Sequence, residues 1–189
     1  MKTIVIEGLS TSGKTTIANK VASLCEGKNL DCRIIDENTT LMPILQNRDP
    51  KVSSDHILSI LKQAYSENHD LVIFDRLHLT SIAITDSSID DFDEIEDILK
   101  KHETILVFLE IDEDKIESRI FDSLEYRGEW WREHLAKKGD RADVMKHYRD
   151  SQKKLFVQLK RTKLSKMIFN TTSEKYDDIA KEVYCSLNF

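Results

Sequence analysis

Short apolar runs alternate with helical patterns along the whole chain, and this alternation is the strongest constraint on its fold. Five runs rich in β-branched and other apolar residues are predicted strands: Thr3–Glu7, Arg33–Ile35, Leu71–Phe74, Thr104–Ile111 and Lys166–Asn170. Six segments carry helical periodicity: Lys14–Glu26, Ser53–Asn68, Ser88–Lys101, Asp112–Ile120, Arg141–Lys160 and Ser173–Leu187. Near-continuous apolar strands separated by helices are typical of a parallel sheet that is covered on both faces. The sequence therefore predicts an α/β fold with three layers.

The composition indicates a globular chain without a membrane segment. Hydrophobic residues make up 40% of the 189 residues and charged residues 33%, which is enough for both a core and a solvated surface. The longest apolar run, Ile105–Leu109, is far shorter than the ~20 residues that span a bilayer. The N-terminal run Ile4–Ile6 is too short for the core of a signal peptide. We expect a single domain over residues 1–189, located in the cytoplasm, with no membrane partner.

The balance of charge argues against nucleic acid as a partner. Acidic residues outnumber basic ones by 34 to 28, whereas proteins that bind nucleic acids usually carry a basic surplus. The three cysteines, Cys25, Cys32 and Cys185, form no C-x-x-C pair and are predicted to be reduced thiols. The acidic run over residues 90–97 is predicted to be a solvated helix face.

A glycine-rich loop follows the first predicted strand. Residues 8–15 read G-L-S-T-S-G-K-T, which fits G-x-x-x-x-G-K-[ST], and the loop opens a predicted helix as this motif requires. Gly8 and Gly13 let the backbone curl so that successive amides face phosphate oxygens at the helix N-terminus. Lys14 adds a charge at the β- and γ-phosphates, and the Thr15 hydroxyl can bind Mg²⁺. The predicted residues that bind the cofactors, ATP and Mg²⁺, are Gly8, Ser10, Thr11, Ser12, Gly13, Lys14, Thr15 and Thr16.

An acid and an arginine follow the third predicted strand. The apolar run Leu71–Phe74 ends in Asp75-Arg76, at the carboxyl edge where open α/β sheets bind their ligands. Asp75 can hold Mg²⁺ or accept a proton from an acceptor hydroxyl. Arg76 suits a second phosphate or the transferred one. An apolar run ending in Asp is common, so this assignment depends on the phosphate-binding loop beside it.

These features resemble the P-loop nucleoside and nucleotide kinases, in particular the thymidylate kinases and the deoxynucleoside kinases. The stretch Asp75–Ala83 is similar to D-R-Y-x-x-S-S-x-A-Y-Q of thymidylate kinases, and Met167–Ser173 resembles their last strand and adenine-contacting loop. The resemblance implies a five-stranded parallel sheet in the order 2-3-1-4-5, a helical lid and often a homodimer. It also implies ATP- and Mg²⁺-dependent phosphoryl transfer to a small acceptor, namely a (deoxy)nucleoside monophosphate or a (deoxy)nucleoside.

The acceptor side departs from the family pattern. The tyrosine after Asp-Arg in thymidylate kinases is Leu77 here, and their later Tyr-Gln pair is Ile84-Thr85. The segment Asp36–Thr40 stands in place of their R-E-P-G-G. Glu37 is similar in place to the glutamate that acts as base toward the sugar hydroxyl in nucleoside kinases, although a solvated loop acid would look the same. The predicted acceptor-binding residues are Glu37, Arg76 and His78.

Residues 112–149 resemble the lid of these kinases, and residues 121–140 within them are charged and show no strand pattern. Arg119 matches the arginine that opens the lid, while the next family arginine, four residues on, is Ser123 here. Phosphoryl transfer needs a stabilising cation, and an arginine on a closing lid would supply it while excluding water. Scattered arginines also occur on solvated helix faces. The predicted catalytic residues are Lys14, Asp75, Arg76, Arg119 and Arg127, and the predicted metal ligands are Thr15 and Asp75.

Two other functions fit the same motifs. One is a kinase whose acceptor is a small molecule other than a nucleoside, such as an antibiotic or a sugar. The other is a nucleotide-dependent switch or ATPase module that transfers phosphate only to water. A GTPase switch is disfavoured because the chain has no N-K-x-D motif and no D-x-x-G after a strand.

Overall fold

The computed structural model describes residues 1–189 and contains one sheet of five parallel strands. The strands are β1 (Lys2–Gly8), β2 (Cys32–Ile35), β3 (Leu71–Asp75), β4 (Ile105–Glu110) and β5 (Ser165–Asn170). Their spatial order, β2-β3-β1-β4-β5, confirms the predicted order. Ile6 of β1 pairs with Asp75 of β3. The loop after β1 and the acid at the end of β3 therefore meet at the carboxyl edge of the sheet.

Ten α-helices connect or flank the strands. They are α1 (Lys14–Glu26), α2 (Glu37–Thr40), α3 (Met42–Gln46), α4 (Pro50–Ser66), α5 (His78–Thr85), α6 (Asp93–Lys101), α7 (Ile116–Asp122), α8 (Glu129–Ala136), α9 (Arg141–Arg161) and α10 (Tyr176–Ser186). Short 3₁₀ turns precede α6 and follow α7. All six predicted helices are present. Helix α1 has the predicted bounds, the other five differ at one or both ends, and α2, α3, α5 and α8 were not predicted. No helix is long and apolar enough to cross a membrane.

The core lies on both faces of the sheet, as the apolar strands predict. Val5 of β1 points into the larger cluster, which joins the sheet to α4, α5, α6 and α9. Its neighbours Ile4 and Ile6 point into the smaller cluster, beneath α1 and α10. Each fully buried side chain of this kind stabilises the fold by roughly 1.5–3 kcal/mol. The three-layer α/β architecture is therefore confirmed.

Capping residues explain where two of the predicted helices begin. The helix predicted from Ser53 begins at Pro50, because the Asp49 carboxylate accepts a hydrogen bond from the Val52 amide at 3.0 Å and proline suits the first helical turn. Helix α9 begins at Arg141, as predicted, because the Asp140 carboxylate accepts hydrogen bonds from backbone amides of its first turn. Both capping residues are polar, so the spacing of apolar residues from which the helix ends were predicted does not include them.

Candidate active site

The loop between β1 and α1 needs glycine at both ends of its motif. Gly8 and Gly13 have φ angles of 147° and 91°, and Thr11 between them is also left-handed at 69°. A Cβ at Gly8 would lie 2.4 Å from the backbone oxygen of Leu109, and a Cβ at Gly13 would lie 2.3 Å from the Tyr176 ring. Both the backbone conformation and the lack of room for a Cβ atom therefore exclude residues other than glycine at positions 8 and 13. We call this segment, residues 8–15, the P-loop.

The Lys14 side chain is enclosed by the P-loop. Its Nζ donates a hydrogen bond to the Leu9 carbonyl at 2.6 Å, and the residue is only 5% exposed. Burial, and next the Arg76 guanidinium, lower the pKa of Lys14 to about 7, although the nearby Asp75 carboxylate favours the charged amine. The Ser12 hydroxyl is also buried and makes no hydrogen bond, whereas Thr16 is exposed in the first turn of α1. The loop therefore encloses a lysine amine and a serine hydroxyl, and the protein supplies no hydrogen-bond partner for the hydroxyl.

Thr15 and Asp75 form the oxygen pair beside the P-loop. The Thr15 hydroxyl donates to Oδ2 of Asp75 at 2.5 Å, while Oδ1 of Asp75 is buried and has no hydrogen-bond partner. The Asp75 backbone is fixed because its carbonyl accepts a hydrogen bond from the Thr40 hydroxyl at 2.8 Å. No cluster of three or more His, Cys, Asp or Glu side chains could hold a metal ion. One carboxylate and one hydroxyl next to a phosphate cradle fit Mg²⁺, which usually binds a few protein oxygens together with phosphates and water.

Arg76 turns back from the end of β3 toward the P-loop. Its φ angle of 67° is left-handed, and its amide donates to the Ile6 carbonyl at 3.0 Å. The guanidinium then donates to the Gly8 carbonyl at 3.1 Å and to the Ser10 hydroxyl at 3.3 Å. Its Nε donates to the Glu37 carboxylate at 3.1 Å. The predicted acceptor-binding residues Glu37 and Arg76 therefore meet at the P-loop.

Glu37 is held at the first position of α2. The Asp36 carboxylate caps this helix by accepting a hydrogen bond from the Thr39 amide at 3.1 Å. Burial alone raises the pKa of Glu37, but the Arg76 and Lys14 cations lower it below its ordinary value. The Glu37 side chain remains 45% exposed. It is therefore an ionised carboxylate that is reachable from the cleft.

Arg127 is a cation that has no carboxylate partner. Seven of the nine arginines form an ion pair, and the other two are Arg48 and Arg127. The Arg127 guanidinium lies 4.7 Å from the centre of the Trp131 ring, and the indole N–H of Trp131 donates to the Ser123 hydroxyl at 2.8 Å. Its charge also helps to lower the pKa of Glu37. Arg127 is therefore close enough to Glu37 for its charge to act on that carboxylate.

Tyr148 on α9 is a site residue that the sequence analysis missed. Its hydroxyl is buried without a hydrogen-bond partner, and Ser10, Arg76 and Arg127 are the polar groups that favour its ionised form. Burial raises the pKa of Tyr148 to about 12, so the hydroxyl is a neutral donor. Tyr148 follows Val144 by four residues, which places both on the buried face of α9. The sequence around Tyr148 does not show which part of the protein this face packs against.

Arg119, on α7, contacts the P-loop directly. Its guanidinium donates to the Thr11 carbonyl at 2.5 Å and to the Thr171 carbonyl at 3.3 Å. It also donates to the Tyr176 hydroxyl at 2.5 Å. Arg119 therefore joins the P-loop to the loop after β5. The two predicted lid arginines therefore have different partners, because Arg119 contacts the P-loop backbone whereas Arg127 lies over the Trp131 ring.

Comparisons with known proteins place this geometry in a known fold. No family model and no curated protein matches the sequence. YorR of Bacillus subtilis, solved in complex with phosphorylated GDP, matches with a TM-score of 0.66 and 19% identity over 99% of this chain and 96% of that chain. The thymidylate kinase of Candida albicans matches with a TM-score of 0.57 and 16% identity over 99% and 91%. The chain has the P-loop nucleotide kinase fold. The protein APE1195 also matches, with a TM-score of 0.60 and 13% identity over 99% of this chain and 94% of that chain.

Within the kinase fold, His78 does not join the other predicted acceptor-binding residues. It is fully buried, and its Nε2 lies 2.5 Å from a carboxylate oxygen of Glu96 on α6. The Thr162 hydroxyl and the Lys163 amide donate to the same carboxylate at 2.7 Å. The prediction that residues 90–97 form a solvated face is therefore wrong at Glu96, which is fully buried. This network ties α5 and α6 to the end of α9.

Replacing Glu96 with glutamine should destabilise the protein by about 1–3 kcal/mol, because buried donors lose their charged acceptor. Burial alone raises the pKa of Glu96, but hydrogen bonds from His78 and Thr162 lower it below the ordinary value of 4.5. A carboxyl with a lowered folded-state pKa stabilises the protein above its unfolded pKa and loses that contribution as pH falls. The difference in unfolding free energy between wild type and Glu96→Gln, measured by urea denaturation, should therefore shrink between about pH 6 and pH 3. A difference that is constant with pH would contradict this assignment.

Proposed function

We propose that this chain transfers the γ-phosphoryl group of ATP to a small acceptor, and that the acceptor is a (deoxy)nucleoside monophosphate. The observation that carries the proposal is the position of the Arg76 guanidinium. It contacts the Gly8 carbonyl and the Ser10 hydroxyl of the P-loop on one side and the Glu37 carboxylate on the other. The phosphate-binding loop and a charged acceptor cleft therefore share a wall, which is the arrangement that phosphoryl transfer between two bound substrates requires.

The donor side follows from the P-loop. Its backbone amides and the Lys14 amine would bind the β- and γ-phosphates. Thr15 and Asp75 would hold Mg²⁺, because Oδ1 of Asp75 is buried without a partner. Bound Mg²⁺ would neutralise charge on the phosphate oxygens. Arg119 and Tyr176, which lie between the P-loop and the loop after β5, would contact the nucleoside part of ATP.

A monophosphate acceptor fits the cations of the cleft. Arg76 offers a planar fork suited to two hydrogen bonds with a phosphate dianion. Arg127 adds a second cation that no carboxylate neutralises, and the Tyr148 hydroxyl adds a neutral donor without a partner. Arg127 would also stabilise charge on the transferred group, since its own charge already acts on the Glu37 carboxylate.

A nucleoside acceptor is the second candidate, and the ion pair between Arg76 and Glu37 favours it. The Glu37 carboxylate is ionised and half exposed, so it could accept the proton of a sugar hydroxyl as that oxygen attacks the γ-phosphorus. Arg76 would then orient Glu37 and contact the transferred group instead of binding an acceptor phosphate. In both schemes the chain is one domain over residues 1–189 with a lid at about 112–149.

The test is a coupled ADP-release assay over nucleosides, nucleoside monophosphates and simple alcohols, each at equal concentration with Mg²⁺ and ATP. We expect turnover with at least one monophosphate that exceeds the rate with water alone by two orders of magnitude or more, since positioning two substrates supplies most of the catalysis. Turnover confined to nucleosides would select the second candidate. Equal ADP release with and without every acceptor would contradict a kinase and indicate an ATPase.

ATP binding should take up a proton near pH 7. The Lys14 pKa of about 7 rises when a triphosphate lies beside the amine, because negative charge favours the ammonium form. Affinity for ATP should therefore fall as pH rises from about 6 to 8. Isothermal titration calorimetry in two buffers of different ionisation enthalpy measures the number of protons taken up when ATP binds. The Lys14→Met variant shows how many of these protons go to ATP itself and not to Lys14. Equal proton uptake in wild type and Lys14→Met would contradict the assignment to Lys14.

The proposed lid should become ordered when both substrates bind. Residues 121–140 contain a 3₁₀ turn, α8 and two loops, with exposed aromatic side chains at Tyr126 and Trp130. Such a segment has low local stability and exchanges its amide hydrogens readily. Hydrogen–deuterium exchange of peptides from this segment should slow markedly with a non-hydrolysable ATP analogue plus acceptor, and little with either alone. Identical exchange in all four conditions would show a fixed helical insertion.

A further inference from the structure

A buried carboxylate lies directly before the P-loop and is not used in the proposed chemistry. Glu7 is the residue of β1 next to Gly8, and it is fully buried. Its Oε1 accepts hydrogen bonds from the Leu77 amide at 3.0 Å and from the Thr80 amide at 3.2 Å. Its Oε2 accepts a hydrogen bond from the Thr80 hydroxyl. All of these donors belong to the turn after β3 or to the first turn of α5.

Glu7 supplies the cap that α5 lacks. Leu77 occupies the N-cap position of this helix and has no side chain that could accept from the free amides of the first turn. The Glu7 carboxylate takes that place from a neighbouring strand. A negative charge at a helix N-terminus is also favourable because the unpaired amides there carry partial positive charge. Glu7 therefore fixes where α5 begins relative to the P-loop.

The same cap holds the strained residue of the site. Arg76 has a left-handed φ of 67°, a conformation that an arginine adopts only where its surroundings impose it. Its own amide is bound to the Ile6 carbonyl, and the next amide, that of Leu77, is bound to Glu7. Both bonds lead to adjacent residues of β1. They fix the direction in which the Arg76 side chain leaves the backbone, which is toward the P-loop.

The Thr80 hydroxyl links Glu7 to the guanidinium. It donates its hydrogen to Oε2 of Glu7, so its lone pairs are free to accept, and Nη1 of Arg76 lies 3.5 Å from it. The same Nη1 donates to the Gly8 carbonyl at 3.1 Å. The Glu7 side chain thus sets the orientation of the Thr80 hydroxyl, which supports one edge of the guanidinium. The opposite edge, Nη2 and Nε, faces Ser10 and Glu37.

We propose that Glu7 is a positioning residue that holds Arg76 in its left-handed turn and, through the Thr80 hydroxyl, aligns the guanidinium between the P-loop and the acceptor. This inference rests on the proposed function, because it assigns Glu7 to the same reaction. Glu7 touches neither substrate in this scheme. It acts by fixing the one side chain that contacts both halves of the site.

Substitutions at Glu7 and Thr80 distinguish a role in positioning Arg76 from a role in stabilising the fold. In Glu7→Gln the carbonyl can still accept from the amides of α5, but the new NH₂ group donates to the Thr80 hydroxyl and competes with Arg76. In Thr80→Val the hydroxyl is removed with almost no change in shape, whereas Thr80→Ser retains it. Glu96→Gln is the control for a fully buried acid that also binds α5, through His78, and that makes no hydrogen bond to the P-loop or to Arg76.

The experiment measures kcat, acceptor KM, ATP KM and melting temperature for these four variants. We expect Glu7→Gln and Thr80→Val to lose about tenfold or more in kcat/KM for the acceptor, with ATP KM changed by less than about threefold. Thr80→Ser should restore the acceptor constants. Glu96→Gln should lower the melting temperature and leave the kinetic constants unchanged. Wild-type kinetic constants in both Glu7→Gln and Thr80→Val would overturn the inference and leave Glu7 as a helix cap only.

A second measurement needs no catalysis and keeps the two proposals distinguishable. The Nε–H of Arg76 is bound to Glu37, so its ¹H–¹⁵N resonance should be sharp and slow to exchange in the wild type. Glu7→Gln and Thr80→Val should broaden it or shift it toward the position of a free arginine, while Glu96→Gln should not. If the wild type shows no phosphoryl transfer with any acceptor, the proposed function fails. An Arg76 resonance unchanged in both variants overturns the positioning role of Glu7, whatever the activity.

Discussion

Replacing Lys14 with alanine should reduce phosphoryl transfer by ~10²–10³-fold and leave the fold intact. The amine lies inside the P-loop, where a charge that stabilises the transferred group in a water-poor site contributes ~3–4 kcal/mol to catalysis. Stability should change little, because a buried amine whose pKa is lowered to about 7 is itself costly to bury. The rate is measured with saturating acceptor, and the fold is checked by circular dichroism and melting temperature.

The matched control for this prediction is Lys20→Ala on the same helix. Lys20 forms a surface ion pair with Asp177 at 2.7 Å, and such pairs contribute at most ~1 kcal/mol. The control should keep the wild-type rate and nearly the wild-type melting temperature. A Lys14→Ala variant that retains near wild-type turnover would show that the P-loop does not bind the phosphate donor.

Removing Arg76 should distinguish the two acceptors. For a monophosphate, Arg76→Ala deletes up to two charge-assisted hydrogen bonds, each worth ~1.5–3 kcal/mol, so acceptor KM should rise by roughly 10²-fold. Arg76→Lys should give a smaller rise, because it keeps the charge and loses the planar fork. ATP KM should stay nearly constant, because the P-loop amides and Lys14 bind the donor. Separate measurement of kcat and KM for each substrate tests this expectation.

Other outcomes for Arg76 have distinct meanings. For a nucleoside acceptor, kcat should fall more than KM rises, because Arg76 then orients Glu37 and contacts the transferred group. Equal losses for both substrates together with a lower melting temperature would indicate a structural role. Arg161→Ala, which breaks an exposed ion pair with Asp90, is the control and should change none of these constants. An acceptor KM that is unchanged in Arg76→Ala would exclude the monophosphate.

The sheet could be predicted because its strands are buried on both faces. A run such as Leu71–Phe74 is apolar without interruption, and the resemblance to nucleotide kinases supplied the strand order. Helices of four, five and eight residues, such as α2, α3 and α8, are too short to show a reliable apolar period. These helices are stabilised by tertiary packing and capping residues, which cannot be recognised from the spacing of apolar residues.

The candidate site could be predicted where its residues adjoin a motif. Lys14, Thr15 and Asp75 lie together because the P-loop follows β1 and Asp75 ends the neighbouring strand. Tyr148 could not be found in this way, because it reaches the P-loop from a helix distant in sequence. His78 was misplaced for the opposite reason, since closeness to Arg76 in sequence did not predict that α5 turns its ring toward Glu96.

The contact between Gly13 and Tyr176 links the beginning of the chain to its far end. The ring of Tyr176, the first residue of α10, occupies the space that a side chain at position 13 would need, and α10 packs on α1 in the smaller core cluster. The P-loop is therefore bounded on one side by a helix that the ribosome makes more than 150 residues later. A nascent chain that ends before α10 would have all the residues of the motif and lack one wall of its phosphate cradle. The complete phosphate cradle thus exists only after synthesis has passed α10, so earlier folding depends on the sheet and on the helices that precede α10, which form the larger core cluster.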